Sequence, residues 1–568
     1  MENNGGTTAI SPTMELRPVV VEQHQMNDDP STSTAVERTE RVDNTLPPPI
    51  QPQEYPTGFH FILLTIGLIL SIFLAALDQS IISTAIPRIT DHFGTVKDVG
   101  WYGSAYSITN AAFQSTWGKA YKHFPLKPTF LLIIGVFELG NVISASARSS
   151  SMLIVGRIIA GTGGGGVMTG SFIIIALSTK PEYRAAYMGV LGVTFGCASV
   201  VGPLLGGVLT DGLGWTWCFW ISLPIGFLAA AIMSVFLQVP AVAAPMRTNL
   251  KEKIVSLDLA GACLICGAMT CFVVATQQAG ISVSWCSWQV ITSLTGAAVL
   301  LTTFLGNEWY MGSRAMIQTH LLKRRTVLLN CVYAFFLAGL CFPLSYALPI
   351  QFQSVGNASA AQSGVRLIPL MLGVSVFTMV ANGVLTFWRR YTPFLLVGAV
   401  AGTLGIGLVH TLDADAGNAF WVGYEIIISL GVGLALQVPM IANQAAVGFE
   451  DMAVVTSLTL FCENVGTALF IASTEAAFTN GLVSALARNA PAVRPEIVVH
   501  AGATEIRHVF GQQQQVLPGI LLSYLQGCKT SHFVPIACGS SAVLVSMIQG
   551  VPGVVKEWNV RTSRPHVP

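Results

Sequence analysis

The sequence predicts an all-α membrane protein of fourteen transmembrane helices, and three observations point there. Between residues 59 and 550 run about fourteen apolar stretches, most of about 18 to 25 residues, each long enough to cross a hydrocarbon core about 30 Å thick as a helix. Only 10% of the 568 residues are charged and 52% are hydrophobic, too little polar surface to clothe so many buried-type segments in water. Lysine and arginine also segregate into alternate loops, as the positive-inside rule requires.

The elements follow in order. Residues 1–58 are rich in Thr, Ser, Pro and Glu, contain the run Pro47, Pro48, Pro49 and lack the apolar core of a cleavable signal peptide, so a disordered cytosolic tail is expected. Spans are expected near residues 60–84, 99–117, 129–147, 152–177, 188–209, 217–238, 257–277, 287–307, 328–350, 364–387, 394–411, 420–442, 453–477 and 530–550. They fall into a six-helix bundle over 59–238, two inserted helices with their loops over 239–327, and a second six-helix bundle over 328–550. A long outside loop is expected at 478–529, its apolar part at 516–525 lying on the membrane or on helix ends, and a cytosolic tail at 551–568. A faint echo suggests duplication: Gly118 precedes Pro128 by ten residues with lysines between, and Gly383 precedes Pro393 by ten with Arg389 and Arg390 between.

Placing the N-terminus in the cytosol puts Lys119, Lys122, Lys127, Lys180, Arg184, Arg247, Lys251, Lys253, Arg314, Lys323, Arg324, Arg325, Arg389 and Arg390 inside, against Arg88, Lys97 and Arg148 outside. The one glycosylation sequon, Asn357 to Ser359, then falls outside, so Asn357 is the expected glycan acceptor.

Residues 189–211 read GVLGVTFGCASVVGPLLGGVLTD. Gly189, Gly192, Gly196, Gly202, Gly206 and Gly207 leave one helical flank almost bare, which invites close helix contact, and Pro203 removes a backbone donor and permits a bend. The ordered string Gly202, Pro203, Gly206, Gly207 resembles the antiporter motif of the major facilitator superfamily, seen in its exporters and not its importers. Residues 74–89, LAALDQSIISTAIPRI, resemble the first-span signature of the fourteen-spanner drug:proton antiporters, with Asp78 at the acidic position. Residues 118–128, GKAYKHFPLKP, resemble the cytosolic gating loop of that superfamily in its fungal form, through Gly118, Lys119, Tyr121 and Lys127; Lys122 replaces the aspartate of the general pattern. Residues 155–165 resemble the fourth-span motif, with Arg157 in place and Ala160 departing from the glutamine often found there. Residues 360–373 resemble the start of the tenth span of fungal toxin exporters. Covering about residues 58–555, the resemblance implies a major facilitator fold of two six-helix halves plus two central helices, and a toxin or multidrug efflux pump driven by protons.

An ionised side chain at membrane depth costs on the order of 2.5 to 3.5 kcal/mol on insertion scales, so such groups need partners, water or protonation. Asp78 and Arg157 are expected to couple protonation to movement, with a purely structural ion pair as the alternative, and Glu463 is a further candidate. Glu138, Glu425, Glu475 and His410 are expected near span ends, solvated.

A net charge of +1 gives no bias toward nucleic acid. Neither a phosphate-cradling loop nor a nucleophile elbow nor a paired-histidine motif occurs, so neither ATP-driven pumping nor enzyme chemistry finds support. The 11 cysteines are scattered, and the Cys263, Cys266 pair lies inside an apolar span, where helix packing is expected instead of a metal or redox role. The expected protein is a monomeric multi-pass exporter of a small hydrophobic molecule, with protons and the bilayer as partners and no cofactor. Its address is the cell membrane, with a vacuolar or vesicle membrane as the alternative; an importer of siderophore type and a non-transporting transceptor are the rival functions.

Overall fold

A computed structural model describes residues 55–550, except 95–97, 239–248, 281–282, 389, 414–416 and 512–514. The expected tails therefore fall almost entirely outside the described residues. The first half consists of α1 (Gly58–Phe93), α2 (Val99–His123), α3 (Leu126–Ala145), α4 (Ser150–Ser178), α5 (Arg184–Gly212), α6 (Trp217–Trp220) and α7 (Ser222–Phe236). The inserted region holds α8 (Leu250–Ser256), α9 (Leu259–Gln278), α10 (Trp288–Met311) and α11 (Thr319–Leu322). The second half holds α12 (Arg325–Cys341), α13 (Leu344–Ser354), α14 (Ala360–Arg366), α15 (Ile368–Phe387), α16 (Thr392–His410), α17 (Asn418–Ala435), α18 (Val438–Ala446), α19 (Phe449–Asn489), α20 (Pro495–Phe510), α21 (Leu517–Ser531) and α22 (Phe533–Gln549). Among the described residues there is no strand, only an isolated bridge between Ala279 and Val283.

Among the described residues, thirteen helical segments are long and apolar enough to cross a membrane. The expected span that does not join them is α2, 25 residues long but carrying Ser104, Ser107, Thr109, Asn110, Gln114, Ser115 and Thr116. Thr109, Gln114 and Ser115 are buried against other helices, where they are hydrogen-bonded or turned back on the backbone. Helix α10 is the opposite case, fully burying only Val290, Phe304 and Glu308 of its 24 residues and leaving the others half-buried, many against α9, or exposed.

The packing pattern of the first half repeats in the second. α1 packs on α5 and α7 as α12 packs on α19 and α22, and α4 packs on α2 and α3 as α17 packs on α15 and α16. The halves meet through exchanged partners, α2 against α19 and α5 against α15, while α9 of the inserted pair touches both α2 and α19.

The segment 478–529, expected as a loop, is helical over most of its length. α19 continues to Asn489, 41 residues in all, and Leu482 and Leu486 at its far end form a satellite core with Val498, Ile506 and Phe510 of α20 and Ile520 and Tyr524 of α21. The apolar residues of α20 and α21 are thus covered by one another and by the far end of α19.

Candidate functional site: a buried ion pair beside a glycine seam

Asp78 lies on α1 and Arg157 on α4, and the fold brings them together. Arg157 Nη1 donates to Asp78 Oδ2 at 2.7 Å, with the side chains 1% and 0% exposed. Nε of Arg157 donates to the Tyr102 carbonyl at 3.1 Å, and the guanidinium lies 4.4 Å from the centroid of the Tyr106 ring and 5.8 Å from that of Phe219. Tyr106 is itself tied to α1, its hydroxyl donating to the Ala75 carbonyl at 3.3 Å. Asp78 Oδ1 is buried without a hydrogen-bond partner, so one half of the carboxylate is satisfied and the other is not.

Local sequence explains how a guanidinium sits so deep. Ser149 starts α4 by accepting from the Met152 amide at 3.2 Å, and the helix then runs through glycines 156, 161 and 163–166. A Cβ at Gly161 would collide with Tyr106 and Thr109 of α2, and one at Gly163 with the Phe137 backbone of α3. Without those side chains α2, α3 and α4 approach closely enough to shut water out around Arg157.

The glycines of α5 serve two partners. Gly202 and Gly206 press on α1, where a Cβ would collide with Ser80 or with Thr84 and the Ile81 backbone, and Ser80 Oγ donates across to the Ala198 carbonyl at 3.3 Å. Gly189, Gly192 and Gly196 face the other half, against Asn382, Gln437 with Thr378, and Ser375. Gly207 has no neighbour within 4 Å of a Cβ built there, so it does not belong to the close contact expected from the glycine string. Helix α5 runs unbroken through Pro203.

At the other end of α2 lie the gating-loop residues. A Cβ at Gly118 would collide with Ser457 of α19, and Tyr121 donates to the Gly166 carbonyl at 2.9 Å. Lys119 is fully buried, with Nζ on the Arg314 carbonyl at 2.6 Å, and Lys127 is half-buried at the start of α3. Lys122, standing where an acid was expected, pairs across the halves with Asp451 of α19 at 2.8 Å, and Asp451 Oδ2 also lies 3.3 Å from His320 Nε2. In this contact the carboxylate is on α19 and the lysine on α2.

Two acids that the sequence did not single out anchor the inserted pair under Lys119. Asp258 caps α9 through the Gly261 amide at 3.0 Å and accepts from Asn307 Nδ2 and the Met316 amide, both at 3.0 Å. Glu308 accepts from the Met316 and Ile317 amides at 3.2 and 2.5 Å. Their only sequence signal was an acid near the end of an apolar span.

Glu463 sits half-buried on α19, in the other half from the Asp78 and Arg157 pair. Its neighbour Asn464 donates to Gln114 Oε1 at 2.9 Å, and Gln114 donates on to Thr169 Oγ1 at 3.0 Å, joining α19, α2 and α4. Glu475 is exposed, but Glu138 and Glu425 are not solvated as expected: all four of their carboxylate oxygens are buried without a partner, because α7 and α15 cover them. His410 is half-buried too, with Nδ1 3.1 Å from the Lys529 carbonyl and its ring beside those of His532 and Phe533. Asn357 is exposed in the turn before α14, and Ser359 of the same sequon forms a capping box with Gln362. All 11 cysteines are free thiols.

Comparison with known proteins agrees with this architecture. The model of the Major Facilitator Superfamily matches residues 68–471. The MFS-type transporter thnB of Trichoderma harzianum is 40% identical over 494 residues, 87% of this chain and 85% of thnB. The probable efflux pump gsfJ of Penicillium aethiopicum is 39% identical over 493 residues, 87% of this chain and 88% of gsfJ. The MFS-type efflux pump MFS1 of Arthroderma benhamiae is 36% identical over 509 residues, 90% of this chain and 95% of that pump. Among solved structures, the human organic anion transporter MFSD10 aligns with a TM-score of 0.54 at 14% identity over 87% of this chain and all (100%) of that one. The proton:xylose symporter XylE aligns with a TM-score of 0.54 at 12% identity over 86% of this chain and 95% of its own, a likeness of fold alone.

Proposed function

We propose that this chain, which belongs to the Major Facilitator Superfamily, exports a hydrophobic or amphipathic small molecule across the cell membrane in exchange for protons. It is a multi-pass membrane transporter, and relatives that match nearly its whole length are named efflux pumps. The observation that carries the finer reading is the Asp78 and Arg157 pair, closed off from water at 2.7 Å on the very helix against which Gly202 and Gly206 of α5 pack. Protonating Asp78 removes the negative charge that holds Arg157, and in a low-dielectric interior the loss of that partner is severe enough to favour a rearrangement of α1 against α4 and α5. Glu463, half-buried in the second half and in no ion pair among the described residues, is the reserve acid.

The energy source is adequate. A membrane potential of about 100 mV contributes roughly 2.3 kcal/mol per charge and one pH unit about 1.4 kcal/mol, together a gradient of a few hundredfold for a neutral substrate per proton. The test uses everted membrane vesicles with an imposed acid interior. Wild-type vesicles are expected to accumulate a labelled hydrophobic compound, and Asp78→Asn vesicles at matched protein level are not. Equal accumulation by the two would remove Asp78 from the coupling and shift attention to Glu463.

A further inference from the structure

We propose that Glu138 is a second proton-carrying carboxyl in the first half, exchanging one proton with Asp78 along a buried polar seam between α3 and α7. This rests on the proton-coupled reading above and deepens it. The seam is built by spacing. Glu138 and Asn141 lie three residues apart on one face of α3, and Ser144, a turn further on, lies against Gly156 of α4. Opposite, Gly226 of α7 has no side chain, and a Cβ there would collide with the Glu138 carboxylate; Ser222 sits one turn away on the same face of α7. Asp78 is close enough for its charge to act on both Glu138 and Cys218.

Seven polar atoms in this region are buried without a hydrogen-bond partner: Asp78 Oδ1, both oxygens of Glu138, both amide atoms of Asn141, and the hydroxyls of Ser144 and Ser222. Asp78, Asn141, Ser144 and Ser222 are all 0% exposed. Folded proteins leave few such groups unsatisfied, and where they do gather the usual resolution is ordered water. Asn141, with a donor and an acceptor both free, and Ser222 can each hold a water in this seam.

Charge balance places the proton. The charge of Asp78 acts on Glu138, and around Asp78 stand Arg157 from α4, Tyr106 from α2 and Cys218 from α6, with no titratable group on α7. Arg157 is the single cation among them, and it is committed to Asp78 and the Tyr102 carbonyl. Two carboxylates sharing one cation in a dry interior hold one proton between them, and it belongs on the acid the cation does not reach. In the transfer the O–H bond of Glu138 breaks, an O–H bond forms on Asp78 Oδ1, and the guanidinium exchanges the neutralised Asp78 for the new Glu138 carboxylate. Atoms and charge balance.

The experiment treats the reconstituted full-length protein with a hydrophobic carbodiimide, which modifies protonated buried carboxyls, and maps the adduct by mass spectrometry. The adduct is expected on Glu138 and absent from Asp78. In Asp78→Asn it is expected to be lost from Glu138, because Arg157 is then free to hold Glu138 as an anion. An adduct on Asp78 and none on Glu138, or one on Glu138 that persists in Asp78→Asn, would overturn the assignment whatever the transport activity. In proteoliposomes Glu138→Gln should bind substrate but lose pH-driven efflux. Wild-type efflux indifferent to a pH gradient would sink proton coupling itself, whereas a responsive wild type matched by an equally responsive Glu138→Gln would sink only the role of Glu138.

Discussion

Arg157 is the residue on which the first half turns, because it spends every strong interaction it has on α1 and α2. It donates to Asp78 and to the Tyr102 carbonyl and lies over the Tyr106 ring. Removing one partner from such a pair strands the other, so Arg157→Ala is expected to lower stability by about 3 to 5 kcal/mol. Arg157→Lys keeps the charge but not the fork or the ring stacking, and the loss of one charged hydrogen bond should cost roughly 1.5 to 3 kcal/mol. Thermal unfolding of the purified variants in detergent measures both; wild-type stability in Arg157→Ala would show that the pair holds nothing together. Asp78 and Arg157 were legible in the sequence, since a charge inside an apolar run is expensive. Glu138 and Glu425 were misread for want of tertiary information: distance to a span end says how far water is along the helix axis, not whether α7 or α15 covers the side chain.

Helix α5 joins a seam to α1 and a seam to α15, and its glycines are not equivalent. A side chain at Gly206 must displace the Ile81 backbone and Thr84, whereas Gly207 has open space. Gly206→Leu is therefore expected to abolish efflux while leaving the protein in the membrane, and Gly207→Leu to retain it. Equal loss in both, at equal surface level, would show that composition and not this seam matters. The string alone predicted close packing but not which helix each glycine meets, because a motif fixes spacing and not rotation about the axis. Between α2 and α19 the corresponding test is electrostatic. Lys122 and Asp451 are only 15% and 20% exposed, so their coupling should exceed the fractions of a kcal/mol typical of surface pairs. In a double-mutant cycle Lys122→Asp and Asp451→Lys should each impair transport, and the combined swap should restore much of it; a swap no better than either single change would mean that the pair is incidental.

At the scale of the whole molecule, several links between the halves lie toward one end, while Gly196 against Ser375 and Asn464 to Gln114 lie deeper. Lys122 to Asp451, Gly118 against Ser457, and Gly189 against Asn382 all lie toward the end that bears Lys119 and Arg184, the end the lysine and arginine distribution assigns to the cytosol. On that assignment Asn357, exposed in the turn before α14, is expected to face outside. A glycosidase-sensitive mobility shift lost in Asn357→Gln is the expected result, and labelling of Ser359→Cys from the cytosolic side would overturn the topology. The sequence by itself determined the helical membrane class and the superfamily, together with the intramembrane charges at Asp78 and Arg157, because length, apolarity and local motifs are properties of consecutive residues. It placed α2 as a helix but counted it among the apolar spans, whereas α2 turns polar groups toward protein, and it missed the helical fold of 478–529, whose apolar residues are covered by the far end of α19. Which partner Arg157 takes, which glycine meets which helix, and which buried acid is left without a cation were decided only by the tertiary structure, because each depends on helices far apart in the chain arriving at one depth and one rotation.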